Sequence, residues 1–378
     1  MKQYVMDMSI AGRRAEIEAK VADLRADMKA QGWDAIYISK SEHFAWITAG
    51  GDNIVTRYSE GGICAIVITA DKRYFICNNI ETKRMLVEEK LGELGFEEKS
   101  CYWYENKTEQ FLREIIGSGV VAADIPLGGA KDANAVLLER EKTLCDNEIA
   151  RYLHMGKVFS GIIEGYMATV KPGDSEVKIA GGLSAAMWAA GLEPVLLLVA
   201  SDHRIYDYRH AIPTEKKLEK FLMISCNARY KGLITKITRM AYFGDLPDDI
   251  REQYIKTAHI ENVMADATRP GVDELEVFEL ARKLYAEAGY PEMWKVHHQG
   301  GPQSYTNGFY LMNEDVHGLV REGEVYGYNP SITGTKTEDA FIVTKDGPLF
   351  ASFPVTFPQL REVINGVEYV RPGILEVK

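Results

Sequence analysis

Four stretches of this sequence place reactive side chains inside apolar strands or at their ends. His210 stands in "YDYRHAIPTEKKLEK", just before Ile212-Pro213. His297 and His298 form a pair in "KVHHQGGP", and Glu338 and Asp339 lead into the apolar run of "TEDAFIV". Lys236 sits in "KGLITKITRM", whose β-branched Ile234, Thr235, Ile237 and Thr238 read as a strand. Imidazole and carboxylate are the groups from which proton transfer near neutral pH is built. The glycines after the histidine pair let a substrate approach the backbone. Each stretch also has a plainer reading: a packed or exposed loop histidine, a wet strand start at Glu338, a Lys236 that snorkels to an edge. Taken singly, none of the four identifies an activity.

The strand of Lys236 raises a sharper question. Alternation sends Ile234, Lys236 and Thr238 to one face, and Leu233, Thr235, Ile237 and Arg239 to the other. Each face of a strand that reads as central therefore carries a cation. A buried ammonium needs an anion nearby, and the sequence must supply one for Lys236.

The elements that carry these residues fall into two parts. A helix over about 13–31 is followed by a strand at "DAIYIS", a hairpin over 63–77 turned at Ala70-Asp71-Lys72, a charged helix near 81–92 and a buried strand at "GVVAAD". Strands alternating with helices make this a small α/β domain. The second part begins with a long helix from about Asp146 to Val170, ended by "KPG", and a helix from Glu176 to Gly191. The pattern then recurs: a helix near 248–266 ends in "RPG", and another runs from Glu274 to Gly289. Pro172, Glu176 and Gly191 each have a counterpart 98 residues on, which predicts two copies of a helix–Pro-Gly–helix–strands unit. Antiparallel strands close each copy, about 221–240 in the first, and "EVYGYNPSITG" with "KTEDAFIVTKDG" in the second. A cleft between two such halves is a usual place for a small ligand.

Bulk composition narrows the partners. The net charge of −11, spread along the chain, argues against nucleic acid and anionic membrane as partners. No apolar run approaches the roughly 18 residues of a membrane span, and the N-terminus lacks the apolar core of a signal peptide. The five cysteines form no CxxC pair and are expected as reduced core thiols of a cytoplasmic protein.

Read in order, His before Pro-Thr, a hairpin closing on "ITR", His before glycines, then Pro and "ED" in the last strands resemble the pita-bread superfamily. That group includes aminopeptidase P, prolidase, methionine aminopeptidase and the metal-free creatinase. The resemblance covers about residues 140–350, and the smaller domain resembles the creatinase/prolidase N-terminal domain. It implies an α/β (α+β) architecture. Residues 1–138 form the small domain, and 139–378 a duplicated pita-bread domain with a curved antiparallel sheet and outer helices.

The metallopeptidases of this fold hold two divalent ions with two Asp, one His and two Glu. Carried over by position, those ligands become Ser225, Lys236, His298, Asn329 and Glu338, so two of five survive and one lost position carries an ammonium. Hard divalent ions want several anionic oxygens. No cofactor is therefore expected, and Lys236 is expected to fill the lost ion's space and pair with Glu338.

Creatinase hydrolyses a C–N bond without metal, using a histidine whose matching position is His210. The resemblance thus implies His210 as general acid/base, with His298, Asn329 and the Gly300-Gly301 backbone orienting a carbonyl or a water, and Glu338 neutralising Lys236 or holding a cationic group. Of creatinase's two guanidinium-binding glutamates, one matches Glu338 and the other Thr238, which argues against creatine itself. Arg57 lies in the loop from which creatinase sends an arginine to the partner subunit's substrate, and with Lys236, Thr238, Asn329 and His297 it makes up the expected substrate-binding set. The expected protein is a homodimeric, metal-independent hydrolase of a small amide, guanidino or dipeptide-like substrate. Two other readings stay open. One is an Xaa-Pro peptidase with an atypical Mn, Co, Fe or Zn site; the other is a non-catalytic binding protein.

Overall fold

The computed structural model describes residues 2–57 and 59–378. Two compact units divide the chain. One is built from Val5–Glu141 with Lys231–Leu233, and the other chiefly from Lys142–Tyr230 and Ile234–Lys378.

The first unit opens with α1 (Ile10–Gln31), which starts earlier than the apolar spacing suggests because the Ser9 side chain caps it by accepting from Gly12 N. Gly32 ends it in the left-handed conformation that glycine adopts without strain. The strands are β1 (Ala35–Lys40), β2 (Gly61–Thr69), β3 (Arg73–Asn78), β4 (Glu97–Cys101), β5 (Val121–Ala123) and β6 (Lys131–Asp132). They form one sheet in the order β4-β3-β2-β1-β5-β6. Central β1 pairs antiparallel with β2 and parallel with β5, which explains its nearly continuous burial. The charged helix expected over 81–92 is confined to Thr82–Val87.

The second unit shows the duplication directly. Helices α2 (Asp146–Met167) and α3 (Glu176–Ala189) open the first copy; α4 (Asp248–Ala267) and α5 (Glu274–Glu287) open the second. Ser175 and Asp273 cap α3 and α5 with their side chains. Just ahead of them Gly173 and Gly271 both take positive φ. The buried carboxylates of Glu176 and Glu274 tie each helix start to its own copy. Glu176 accepts from Ser201 and Thr214, and Glu274 from Gly318 N and Tyr326.

The strands of this unit are β7 (Glu193–Ser201), β8 (Phe221–Tyr230), β9 (Leu233–Phe243), β10 (Gly300–Gln303), β11 (Val325–Tyr328), β12 (Ser331–Ile332), β13 (Thr335–Lys336) and β14 (Glu338–Thr344). The main sheet runs β10-β11-β14-β9-β8-β7. The two copies therefore meet at its centre, where β14 pairs antiparallel with β9 through Glu338↔Thr238 and Asp339↔Ile237. "EVYGYNPSITG" is interrupted: Pro330 has no N–H to give a ladder, and the chain turns at Gly334 (φ 104) into the small β12–β13 hairpin.

The cysteine expectation needs correction. Cys64, Cys77 and Cys226 are buried thiols, but Cys101 is partly exposed and Cys145 exposed, because Cys145 stands at the N-terminal end of α2.

Candidate active site

The register at the sheet centre assembles a buried polar cluster. Glu338, 4% exposed, opens β14 opposite Thr238. Its Oε2 accepts from Thr238 Oγ1 at 2.8 Å and Ser225 Oγ at 2.9 Å, and Lys336 Nζ lies 3.0 Å away. Lys336 Nζ also donates to Ser225 Oγ at 3.0 Å. Burial alone would raise the Glu338 carboxyl, but Lys336 and Lys236 outweigh it and carry the pKa down to about 2.

The expected partner of Glu338 was Lys236; the structure gives that place to Lys336. Lys236 shares the face of Thr238 and Glu338, as alternation predicts. Its Nζ, however, has no hydrogen bond or ion pair among the described residues, although the residue is only 9% exposed. The pleat explains the difference. Lys236 is two residues, roughly 7 Å of strand, from the Thr238–Glu338 pair. Lys336 arrives from the β12–β13 hairpin and reaches the carboxylate directly. Burial lowers the Lys236 pKa, Glu338 partly opposes this, and Lys336 adds to the lowering.

Three histidines lie beside this cluster. His210 and His297 approach to 3.3 Å between their Nε2 atoms, and the His297 and His298 rings are 4.4 Å apart. His297 is buried, His298 half-buried and His210 exposed. Burial followed by Lys336 lowers the pKa of all three, to about 3 for His297 and about 4 for His298. All three are neutral at pH 7. Gly300 N–H donates to His298 Nδ1 at 3.3 Å, which assigns the ring proton to Nε2. The sequence pair is thus one wall of the cluster, and His210 comes to it from the loop after β7.

Asn329 is buried at the end of β11, and its Oδ1 has no hydrogen-bond partner. Arg57 occupies an exposed turn of the first unit. Gln299, between the histidines and glycines, points away from the cluster: Tyr285 donates to its Oε1. Sequence reasoning missed Lys336. The signal was present, because in "KTED" Lys336 stands two residues before Glu338 and extended chain puts both on one face.

The pair of divalent ions implied by the fold does not fit these residues. Ser225 is a donor to Glu338, Oε2 already faces three donors, and an ammonium rather than an ion satisfies the carboxylate. The ligand nitrogens of His210, His297 and His298 all lie within 4.8 Å of one another, close enough for one ion to bridge. The His298 lone pair at Nδ1, however, faces the Gly300 N–H, and His297 Nδ1 is buried without the acceptor that usually orients a ligating imidazole.

Comparison with known proteins places the cluster in context. The model of metallopeptidase family M24 matches residues 151–345. An uncharacterised peptidase of Staphylococcus saprophyticus is 22% identical over 356 residues, covering 87% of this chain and 97% of that protein. A Pyrococcus horikoshii Xaa-Pro dipeptidase is 24% identical over 187 residues, 47% of this chain and 53% of the relative. Among solved structures, the prolidase of P. horikoshii superimposes with TM-score 0.74 at 19% identity, covering 88% of this chain and 98% of that one. An Xaa-Pro dipeptidase of Bacillus anthracis gives 0.74 at 17%, covering 96% and 100%. At these identities the structural likeness shows the fold, the curled antiparallel sheet of the pita-bread proteins. The family match spans the histidines, both lysines and Glu338, and the chain belongs to metallopeptidase family M24.

Proposed function

We propose that this chain is a metal-independent hydrolase that cleaves a C–N bond in a small amide or peptide-like substrate. The observation that carries this reading is the Lys336–Glu338 pair at 3.0 Å, a protein cation at a carboxylate that relatives of this fold give to metal. Beside it, neutral His210 takes a proton from water as the water oxygen bonds to the substrate carbonyl carbon. The same imidazolium then returns the proton to the leaving nitrogen as the C–N bond breaks. His298, with its proton on Nε2, donates to the carbonyl oxygen as negative charge builds there. His297 orients His210 through their Nε2 contact. From the family resemblance, the protein is a cytoplasmic homodimer, with Arg57 a substrate-binding residue.

Two measurements test the proposal. Metal analysis of the purified protein is expected to find far less than one equivalent of Mn, Fe, Co or Zn. A panel of amides, ureas and Xaa-Pro dipeptides is expected to yield a substrate whose turnover falls about 10²- to 10⁴-fold in His210→Ala. A full equivalent of metal, with dipeptidase activity lost on chelation, would overturn the proposal. That result would favour the reading of an Xaa-Pro peptidase with an atypical metal site, which the named relatives suggest.

A further inference from the structure

In the first unit, antiparallel β2 and β3 bring two cysteines face to face. Cys64 stands directly opposite Cys77 in their ladder, with Ala65 opposite Ile76 beside them. Opposed residues of an antiparallel pair hold their α-carbons about 4.5 or 5.5 Å apart, according to their place in the ladder. Both spacings fall within the span of about 4.4–6.8 Å that a disulfide bridges. Opposed side chains also share one face of the sheet, so the strands need not move for the sulfurs to join. The pair is enclosed, Cys64 at 1% exposure and Cys77 at 5%. Cys101 on β4 does not compete for either sulfur. Ser100, not Cys101, stands opposite Cys77, so alternation turns the Cys101 side chain to the other face. There it packs against Ala65, Val67 and Ile76.

The two thiols are not equivalent. Burial, and then the hydrogen bond to Cys77, raise the Cys64 pKa, so Cys64 keeps its proton and donates it. That bond lowers the pKa of Cys77 in spite of burial, and Thr82 adds to the lowering from 3.4 Å. The Thr82 hydroxyl bonds the Asn78 carbonyl at 2.9 Å and can turn to the sulfur once a thiolate forms.

We infer that Cys64 and Cys77 are a modification site, a dithiol that a small hydroperoxide converts into a cross-strand disulfide, with Cys77 attacking first and Cys64 resolving. The Cys77 thiolate bonds to one peroxide oxygen as the O–O bond breaks, and the departing hydroxide takes up a proton as water. Cys77 is then a sulfenic acid. The Cys64 sulfur next bonds to the Cys77 sulfur as the S–OH bond breaks, and hydroxide leaves with the Cys64 proton as a second water. The dithiol loses two electrons, which reduce one peroxide to two waters. A compact oxidant suits an enclosed pair.

Peptide mapping of the full-length protein tests this. The protein is treated with a few equivalents of hydrogen peroxide, denatured, alkylated with iodoacetamide and digested. The peptides of Cys64 and Cys77 are expected as one linked species, lighter by two hydrogens than the separate pair and parted by dithiothreitol. Full alkylation of both cysteines after peroxide overturns the inference. So does a link from either one to Cys101, or Cys77 oxidised further while Cys64 stays free. Dimedone, which captures sulfenic acids, then reads the order of attack in Cys64→Ala and Cys77→Ala, whose folding circular dichroism checks. An adduct on Cys77 in Cys64→Ala is expected, with none on Cys64 in Cys77→Ala; the reverse pattern overturns the assigned order. The mapping of the wild type stands whether or not the variants fold.

Discussion

The two faces of the β9–β14 pair bury cations in opposite ways. On one face Arg239 is fully enclosed. It donates to Glu164 at 3.0 Å, to both oxygens of Asp339 at 3.1 Å and to the Thr238 carbonyl at 2.9 Å. Asp339 in turn accepts from Arg371 at 2.7 Å, and Arg371 reaches Glu261 at 3.1 Å while its guanidinium lies 4.0 Å from the centre of the Phe350 ring. Burial pushes the Glu261 carboxyl up, so the network approaches electrical balance. On the other face, Lys336 meets Glu338 at 3.0 Å, while the Lys236 amine has no hydrogen bond or ion pair among the described residues and burial lowers its pKa. The first arrangement links α2, α4 and the sheet centre into a scaffold. The second leaves one amine without a protein partner beside perturbed histidines, a pattern that sites show more often than scaffolds do.

Breaking the paired face should cost most. Arg239→Met leaves Glu164 and Asp339 buried with one cation fewer, and such a loss typically costs about 3–5 kcal/mol. Denaturant unfolding is expected to show either that loss or no folded protein. A loss below about 1 kcal/mol would mean that the network is ornamental and the contrast between the faces is false.

Glu338→Gln tests the mixed face next. It leaves both Lys236 and Lys336 without an anion, and a drop of about 2 kcal/mol at pH 7 is expected. Acid adds a sign to this. The folded Glu338 carboxyl sits near 2 against an ordinary 4.5, so its contribution is complete above 4.5 and is lost as pH falls from there towards 2. Thermal melts across that window should fall more steeply for the wild type than for Glu338→Gln. Parallel curves would show that Glu338 is not held ionised by its lysines.

Lys236→Met should have the smallest effect and the opposite sign. Removing an amine that burial disfavours and that has no partner among the described residues is expected to raise stability by about 1 kcal/mol. A comparable loss of stability would show that Lys236 is paired after all, and the two faces would then be alike.

Parts of this site were legible before any coordinates. His298 and Glu338 follow from their motifs, and strand alternation alone put Lys236 and Arg239 on opposite faces. The duplicated helices were visible because capping and Pro-Gly stops are local signals. The partners of Arg239 were not, because Glu164 lies on a distant helix and Arg371 on a later strand (Val367–Pro372), and no local pattern joins them. Lys336 was overlooked although its spacing from Glu338 carried the information. The strand "EVYGYNPSITG" was read too long because only the folded chain shows where Pro330 breaks the ladder.

The sequence by itself determined that Ser225, Lys236 and Asn329 stand at positions where the resemblance to the pita-bread proteins implies acidic ligands, and that two lysines lie near Glu338 in the strand pattern. Such facts depend only on residue type and on the two-residue period of an extended chain. Which lysine meets Glu338 was decided by tertiary structure alone. Both are two residues from a member of the Glu338↔Thr238 pair, so their local patterns are equivalent. A short hairpin carries one to the carboxylate, whereas strand geometry holds the other a pleat away.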